Sequence, residues 1–114
     1  MAPLQRLTRR SEFLKVAAGR RKSVSPGLIL QASAGEAGSS LRVGFTASRK
    51  VGNAVARNRA RRRLRAAAAA VLPAHAASGH DYVVIARQET LDRAYADLLA
   101  DLAAGLKRLG VYRE

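Results

Sequence analysis

Between residues 41 and 80 this chain carries nine cations and not one carboxylate. Six of the nine are arginines gathered into positions 57–65. Like charges at that density repel, and the repulsion raises the free energy of any compact state that holds them together. Such a run is tolerable on a rigid element with an apolar back and an anionic partner in front. A helix meets the first condition. At about 3.6 residues per turn, Ala60, Leu64, Ala67 and Val71 fall on one side, and Asn58, Arg61, Arg62 and Arg65 fall on the other. Arg57, Arg59 and Arg63 flank the apolar stripe. No Asp or Glu stands four residues from any of these arginines, so the i,i+4 pairing that neutralises most charged helices is missing. The spacing predicts a cationic face about two turns long, complementary to the phosphates of a folded RNA.

The rest of the composition sets limits. A length of 114 residues suits one domain, read as a single RNA-binding unit with residues 1–7 as a flexible basic arm. The net charge of +13 is concentrated in residues 1–22 and 42–65. Seventeen of the 21 cations are arginine, whose planar fork matches phosphate. There is no cysteine, which excludes disulfides, thiolate zinc sites and a cysteine nucleophile and fits a reducing compartment. The N-terminal MAPLQRLTRRSEF has no apolar signal-peptide core, and no run approaches the roughly 18 apolar residues that span a bilayer. A soluble, cytoplasmic protein is expected.

In order along the chain, Thr8 or Ser11 can cap a short helix ending near Gly19, with Phe13, Val16 and Ala17 on one face. Residues 23–34 read as extended and are interrupted at Pro26-Gly27, giving two short strands or one bent strand. Residues 35–40 read as a hairpin loop. Residues 41–48 alternate, with Leu41, Val43, Phe45 and Ala47 on one side, as in a half-buried strand. Asn53 caps a helix from 54 to about 72, which Pro73 and Gly79 end. Residues 81–86 are continuously apolar after Asp81 and predict a central strand. Thr90 caps a last helix with Leu91, Tyr95, Leu98, Leu102, Leu106 and Leu109 in one stripe and Asp92, Asp97 and Asp101 facing water. The strands on either side of the arginine helix must be parallel, because a helix crosses between them. The predicted order is α-β-(β)-β-α-β-α.

The string RVGFTASRKVGNAVARNRARRRLR resembles the signature of the bacterial ribonuclease P protein subunit. The family pattern has an Arg-Val-Gly strand, matched by Arg42, Val43 and Gly44. Its Ser-basic-Lys-x-Gly-Asn-Ala-Val loop is matched from Ser48 through Arg49, Lys50, Gly52 and Asn53 to Val55. Its Arg-Asn-Arg helix is matched by Arg57, Asn58 and Arg59, with further basic residues at Arg61, Arg62 and Arg65. Arg6-Leu7 with Phe13 resembles the family's first helix, and residues 81–87 resemble its last strand.

The resemblance implies an α+β fold: a small α-β sandwich with a mixed, mostly antiparallel sheet and a left-handed β-α-β crossover, like the second domain of the fifth protein of the small ribosomal subunit. It implies a subunit of an endoribonuclease that removes the 5′ leader of precursor tRNA, with the catalytic groups in an RNA and Mg²⁺ bound mainly by that RNA. Arg57, Asn58, Arg59, Arg61, Arg62 and Arg65 would contact the catalytic RNA. Phe13, Lys15, Arg49, Lys50 and Arg87 would line or rim a cleft for the single-stranded leader. One protein would pair with one RNA. Ala17 and Gln31 stand where many members carry aromatics, so leader binding would lean on charge and sheet contacts.

Other chemistry is poorly represented. Phe13 suits either a stacking platform or an apolar core. His75 and His80 lie in the 73–79 loop region without a matched carboxylate pair, and Asp97 and Asp101 share a solvent-facing helix side. Neither arrangement suggests a metal site or a catalytic group in the protein. The alternative reading is a basic ribosomal or tRNA-binding structural protein using the same face. A membrane-surface role fails, because the back of the arginine helix is mostly alanine.

Overall fold

The structure, a computed structural model, describes residues 4–35 and 41–114. In chain order it contains β1 (Leu4–Arg6), α1 (Arg10–Ala18), β2 (Lys22–Val24), β3 (Leu28–Ala34), β4 (Leu41–Thr46), α2 (Ala54–His75), β5 (His80–Ala86), a 3-10 turn (Gln88–Leu91) and α3 (Tyr95–Arg108). One sheet runs β1-β4-β5-β3-β2. The predicted α+β class holds.

β5 takes the centre because both of its faces are apolar. It pairs parallel with β4, in the register Arg42↔Asp81 and Gly44↔Val83, as the crossover by α2 requires. On its other side it pairs antiparallel with β3. β5 therefore separates β3 from β4, and the segment between them is not a hairpin; its residues 36–40 lie outside the described residues. Pro26-Gly27 sits in a tight turn closed by Ser25 N–H donating to Leu28 O (2.9 Å), so residues 23–34 supply two strands. Of the expected arm, residues 1–3 lie outside the described residues and residues 4–6 form a strand. Leu4–Arg6 pairs parallel with β4, Leu7 N–H continues the ladder to Val43 O at 2.9 Å, and Leu7 is buried. Three residues with two exposed side chains leave no period to read. With β1 added, the sheet has two parallel and two antiparallel pairings and is evenly mixed, not mostly antiparallel.

The helices divide between the two faces. On one, Leu64, Ala67, Ala68 and Leu72 of α2 and Leu98, Leu102 and Leu106 of α3 bury against Leu28, Leu30, Val43, Tyr82 and Val84. On the other, α1 packs through Val16 against Leu7 and Val83, with Phe13 and Ile85 half-buried beside them. Ala17 is exposed and takes no part. Neither Thr8 nor Ser11 caps α1. Arg9 holds the cap position, and Glu12 Oε1 accepts the backbone N–H groups of Thr8 (3.1 Å) and Arg9 (2.9 Å).

Two further boundaries and the burial of one acid differ from expectation. α2 runs through Pro73 to His75, because a proline near a helix end forfeits only one bond and the C-terminal segment clasps that end. Arg113 N–H donates to His75 O (2.6 Å) and Ala77 N–H to Val111 O (2.9 Å), while the Tyr112 ring stacks on His75 at 4.9 Å. His75 is thus a packed helix residue, and His80 opens β5. Thr90 does not cap α3. Its Oγ accepts Arg87 N–H (2.9 Å) and donates to Gly27 O (2.6 Å), closing the 3-10 turn, and α3 starts at Tyr95. Tyr95 is itself exposed.

Asp101 is the third difference. It lies three residues past Leu98 and four before Gly105, inside the buried stripe, and is 6% exposed. Arg93 forks onto it (Nε–Oδ2 2.7 Å, Nη2–Oδ1 3.0 Å), and Gly27 N–H donates to Oδ2 at 3.0 Å. A Cβ at Gly27 would stand 2.6 Å from that oxygen, so the approach needs glycine. Asp92 and Asp97 do face water. Asp101→Ala should lower the unfolding free energy by about 2–3 kcal/mol, as expected when charged hydrogen bonds are lost at a buried site, while Asp97→Ala should stay within about 0.5 kcal/mol; urea denaturation of both variants measures the difference.

Candidate nucleic-acid interface

α2 begins where the sequence places it. Asn53 Oδ1 accepts Ala56 N–H at 2.9 Å, Gly52 takes φ 147°, and buried Val51 pins the loop to the core. Ala60, Leu64, Ala67 and Val71 are buried as predicted. Asn58, Arg59, Arg62 and Arg65 are exposed, while Arg57, Arg61 and Arg63 are half-buried. Asn58 Oδ1 accepts from Arg61 Nη2, so these two neighbours brace each other. Arg57 Nε is buried without a hydrogen-bond partner. Arg63 turns inward, donating through Nη1 to Thr90 O and through Nη2 to Arg93 O (2.5 Å). It ties α2 to the segment before α3 and is not part of the outward face.

Among the described residues, the ion pairs involve Arg42, Arg87 and Arg93 and no arginine of α2. The α2 face therefore keeps its full charge on a rigid support.

The other sheet face carries a cleft. A nine-residue α1 is about 14 Å long, whereas five strands at about 4.8 Å spacing are about 20 Å wide. α1 cannot cover the face, and the end toward Thr46, Ile85 and Ile29 stays open. There a concavity of about 440 Å³ has Ile29 and Ile85 as floor and Ser48, Lys50, Arg87 and Glu89 among its walls. Arg87 is partly committed: Nη1 donates to Ser25 O at 2.7 Å, and Glu89 lies 3.7 Å from Nη2. Lys50 is exposed.

Of the residues predicted for the cleft, Lys50 and Arg87 meet in this concavity. Phe13 lies next to it, over Gly44, where a Cβ would come within 2.4 Å of the ring. Gly44 is one alternation from the Thr46↔Ile85 pair, so the ring borders the open end and is half-buried. Lys15 and Arg49 are exposed on α1 and on the loop before α2 and do not line the concavity. The floor residues Ile29 and Ile85 are absent from the predicted set. Strand alternation carries the signal for them, since both fall on the face away from α2 and α3.

A polar bracket joins α1 to the sheet. Arg42 forks onto Asp81 (Nε–Oδ1 2.8 Å, Nη2–Oδ2 2.7 Å), and its Nη1 reaches Glu12 Oε2 at 2.6 Å. Backbone N–H donation from Arg9 and Thr8, together with the Arg42 charge, holds the Glu12 carboxyl below its ordinary value. Hydrogen bonding to Asp81 holds the Arg42 guanidinium above its own.

A family model described as Ribonuclease P matches residues 1–110. The chain belongs to the ribonuclease P protein family. It is 60% identical over 117 aligned residues to the ribonuclease P protein component of Paramagnetospirillum magneticum, covering 99% of this chain and 88% of that one. It is 49% identical to the component of Gluconacetobacter diazotrophicus, covering 93% and 91%. Its fold is that of the Staphylococcus aureus ribonuclease P protein (TM-score 0.78, 24% identity, 95% and 97% covered) and of the Thermotoga maritima one (TM-score 0.73, 22% identity, 92% and 94% covered). As a ribonuclease P protein it is a subunit of the endoribonuclease that processes the 5′ end of tRNA, and it works with an RNA partner. The alternative of a ribosomal structural protein is set aside.

The depressed carboxyl of Glu12 makes a prediction about acid. A group held below its unfolded value of 4.5 stabilises the fold fully above that pH, and the contribution fades as pH falls through the depressed value. Glu12→Gln should therefore flatten the acid limb of the stability–pH curve below about pH 4.5 relative to the parent; urea midpoints taken from pH 6 downward record this.

Proposed function

We propose that this subunit docks its α2 face on the catalytic RNA of ribonuclease P and offers its α1-side cleft to the 5′ leader of precursor tRNA. Arg57, Asn58, Arg59, Arg61, Arg62 and Arg65 make the docking contacts. The observation that carries this reading is the absence of any carboxylate partner for these arginines among the described residues, on a helix whose back is locked into the core. Phosphates supply the missing charge, and the counterions released from the RNA drive association.

The cleft suits a single strand. Its floor is apolar, its rim carries Lys50 and Arg87, and Phe13 borders it as an aromatic surface. Single strands are held by such grooves through backbone charge and base stacking, each stack contributing about 1–3 kcal/mol. Arg49 and Lys15 add charge along the approach. One protein per RNA is the simplest stoichiometry for a single docking face.

The chain contributes binding and orientation and no catalytic group. Mg²⁺ belongs mainly to the RNA. Among the described residues no three His, Cys, Asp or Glu side chains gather into a metal-holding group, and Glu12, Asp81 and Asp101 are engaged by arginines.

Replacing Arg57, Arg59 and Arg62 together by alanine should weaken binding to ribonuclease P RNA and lower the slope of log K against log salt by about one per lost phosphate contact; filter binding across a salt series reads the slope. Phe13→Ala in the assembled ribonucleoprotein should weaken affinity for leader-bearing precursor tRNA by about 1–3 kcal/mol and leave mature tRNA unaffected, as measured by competition binding. Equal losses on both would assign Phe13 to packing alone.

A further inference from the structure

α1 is held to the sheet by little apolar surface. Its fully buried contribution is Val16, against Leu7 and Val83. The strongest directional contact is the bracket, in which Glu12 has two separate tasks. Oε1 accepts the N–H groups of Thr8 and Arg9 and so closes the helix start. Oε2 accepts from Arg42 Nη1 at 2.6 Å. The other two guanidinium nitrogens of Arg42 are fixed by Asp81 on the neighbouring strand. The fork therefore cannot swing, and its remaining edge dictates where the first turn of α1 sits. Phe13 is the next residue after Glu12, and its ring rests where Gly44 leaves space. The place of the ring at the border of the cleft thus depends on a chain of charge-assisted bonds running from β5 through β4 to α1.

We infer that Glu12, Arg42 and Asp81 act as positioning residues for the tRNA leader. By fixing the first turn of α1 over the sheet, they set the width of the cleft and the height of the Phe13 ring above its floor. None of the three touches the leader. This inference rests on the leader-binding reading of the cleft given above.

Glu12→Gln separates the two tasks. A glutamine oxygen can still accept from Thr8 and Arg9 as the second half of a capping box, so the helix start survives. Its amide N–H₂ then faces the N–H donors of Arg42, and the tether is lost. Arg42→Lys is the second variant, because a point charge cannot fork onto one carboxylate while reaching another.

The experiment uses the full chain assembled with ribonuclease P RNA. It measures the ratio of dissociation constants for mature tRNA and leader-bearing precursor tRNA, together with the cleavage rate at saturating precursor. Circular dichroism confirms folding, and Glu12→Gln decides alone if Arg42→Lys does not fold. The expected result is a ratio reduced at least fivefold, with mature-tRNA affinity, affinity of the protein for the RNA and saturated cleavage rate within twofold of the parent. A ratio within twofold of the parent, when the parent itself prefers the leader-bearing substrate, would overturn the positioning role while leaving the cleft assignment standing. A parent complex that binds both substrates equally would overturn the leader reading, and this inference with it.

Discussion

Carboxylates are scarce in this chain, and where they sit decides its electrostatics. Eight acids face 21 cations. Glu12 and Asp81 converge on Arg42, Asp101 on Arg93, and Glu89 lies near Arg87. They join α1 to the sheet, the segment before α3 to α3 and, through Gly27 N–H, to the β2–β3 turn, and the end of β5 to the 3-10 turn. These four acids neutralise cations that have structural tasks, and among the described residues none pairs with the outward face of α2. Internal cohesion and external attraction are thereby largely assigned to different arginines, Arg87 alone serving both the turn after β5 and the rim of the cleft. The fold keeps them apart by placing α2 and α1 on opposite sides of one sheet.

This division explains what was legible beforehand. α2, β4 and β5 were readable because their signals are local. Asn53 caps three residues ahead, the alanine–leucine stripe repeats with the helix, and the apolar run of β5 suits a strand buried on both sides. The arginine face follows from the same arithmetic, and the structure adds that Arg63, on its flank, turns inward and that Arg57 and Arg61 are half-buried. The family motif reached the same segment, and of the five residues it implied for a cleft, Lys50 and Arg87 line one concavity while Phe13, Lys15 and Arg49 do not.

What was hidden depends on distant partners. Asp101 looked like one of three solvent-facing acids until Arg93 and Gly27 were placed around it, the latter 74 positions away. Arg42 read as the polar side of a half-buried strand, and its two carboxylates lie 30 and 39 positions away. β1 is too short to show a period, and it becomes a strand because β4 offers an unpaired edge. Thr90 has the chemistry of a helix cap, yet its hydroxyl is drawn to Gly27 and closes a different turn. In each case an adjacent residue type gave a reasonable local answer, and a longer-range hydrogen bond outweighed it.

The inward turn of Arg63 has a mechanical consequence. Half of the buried positions of α2 are alanine, at Ala60, Ala67 and Ala68, and small side chains alone resist rotation of a helix about its own axis less than large ones do. A guanidinium plugged into two carbonyls of a neighbouring segment works like a key in a shaft. It indexes the azimuth of the helix, so that every other arginine emerges at a set bearing. The helix then meets a large, irregular surface as a tool with a fixed grip.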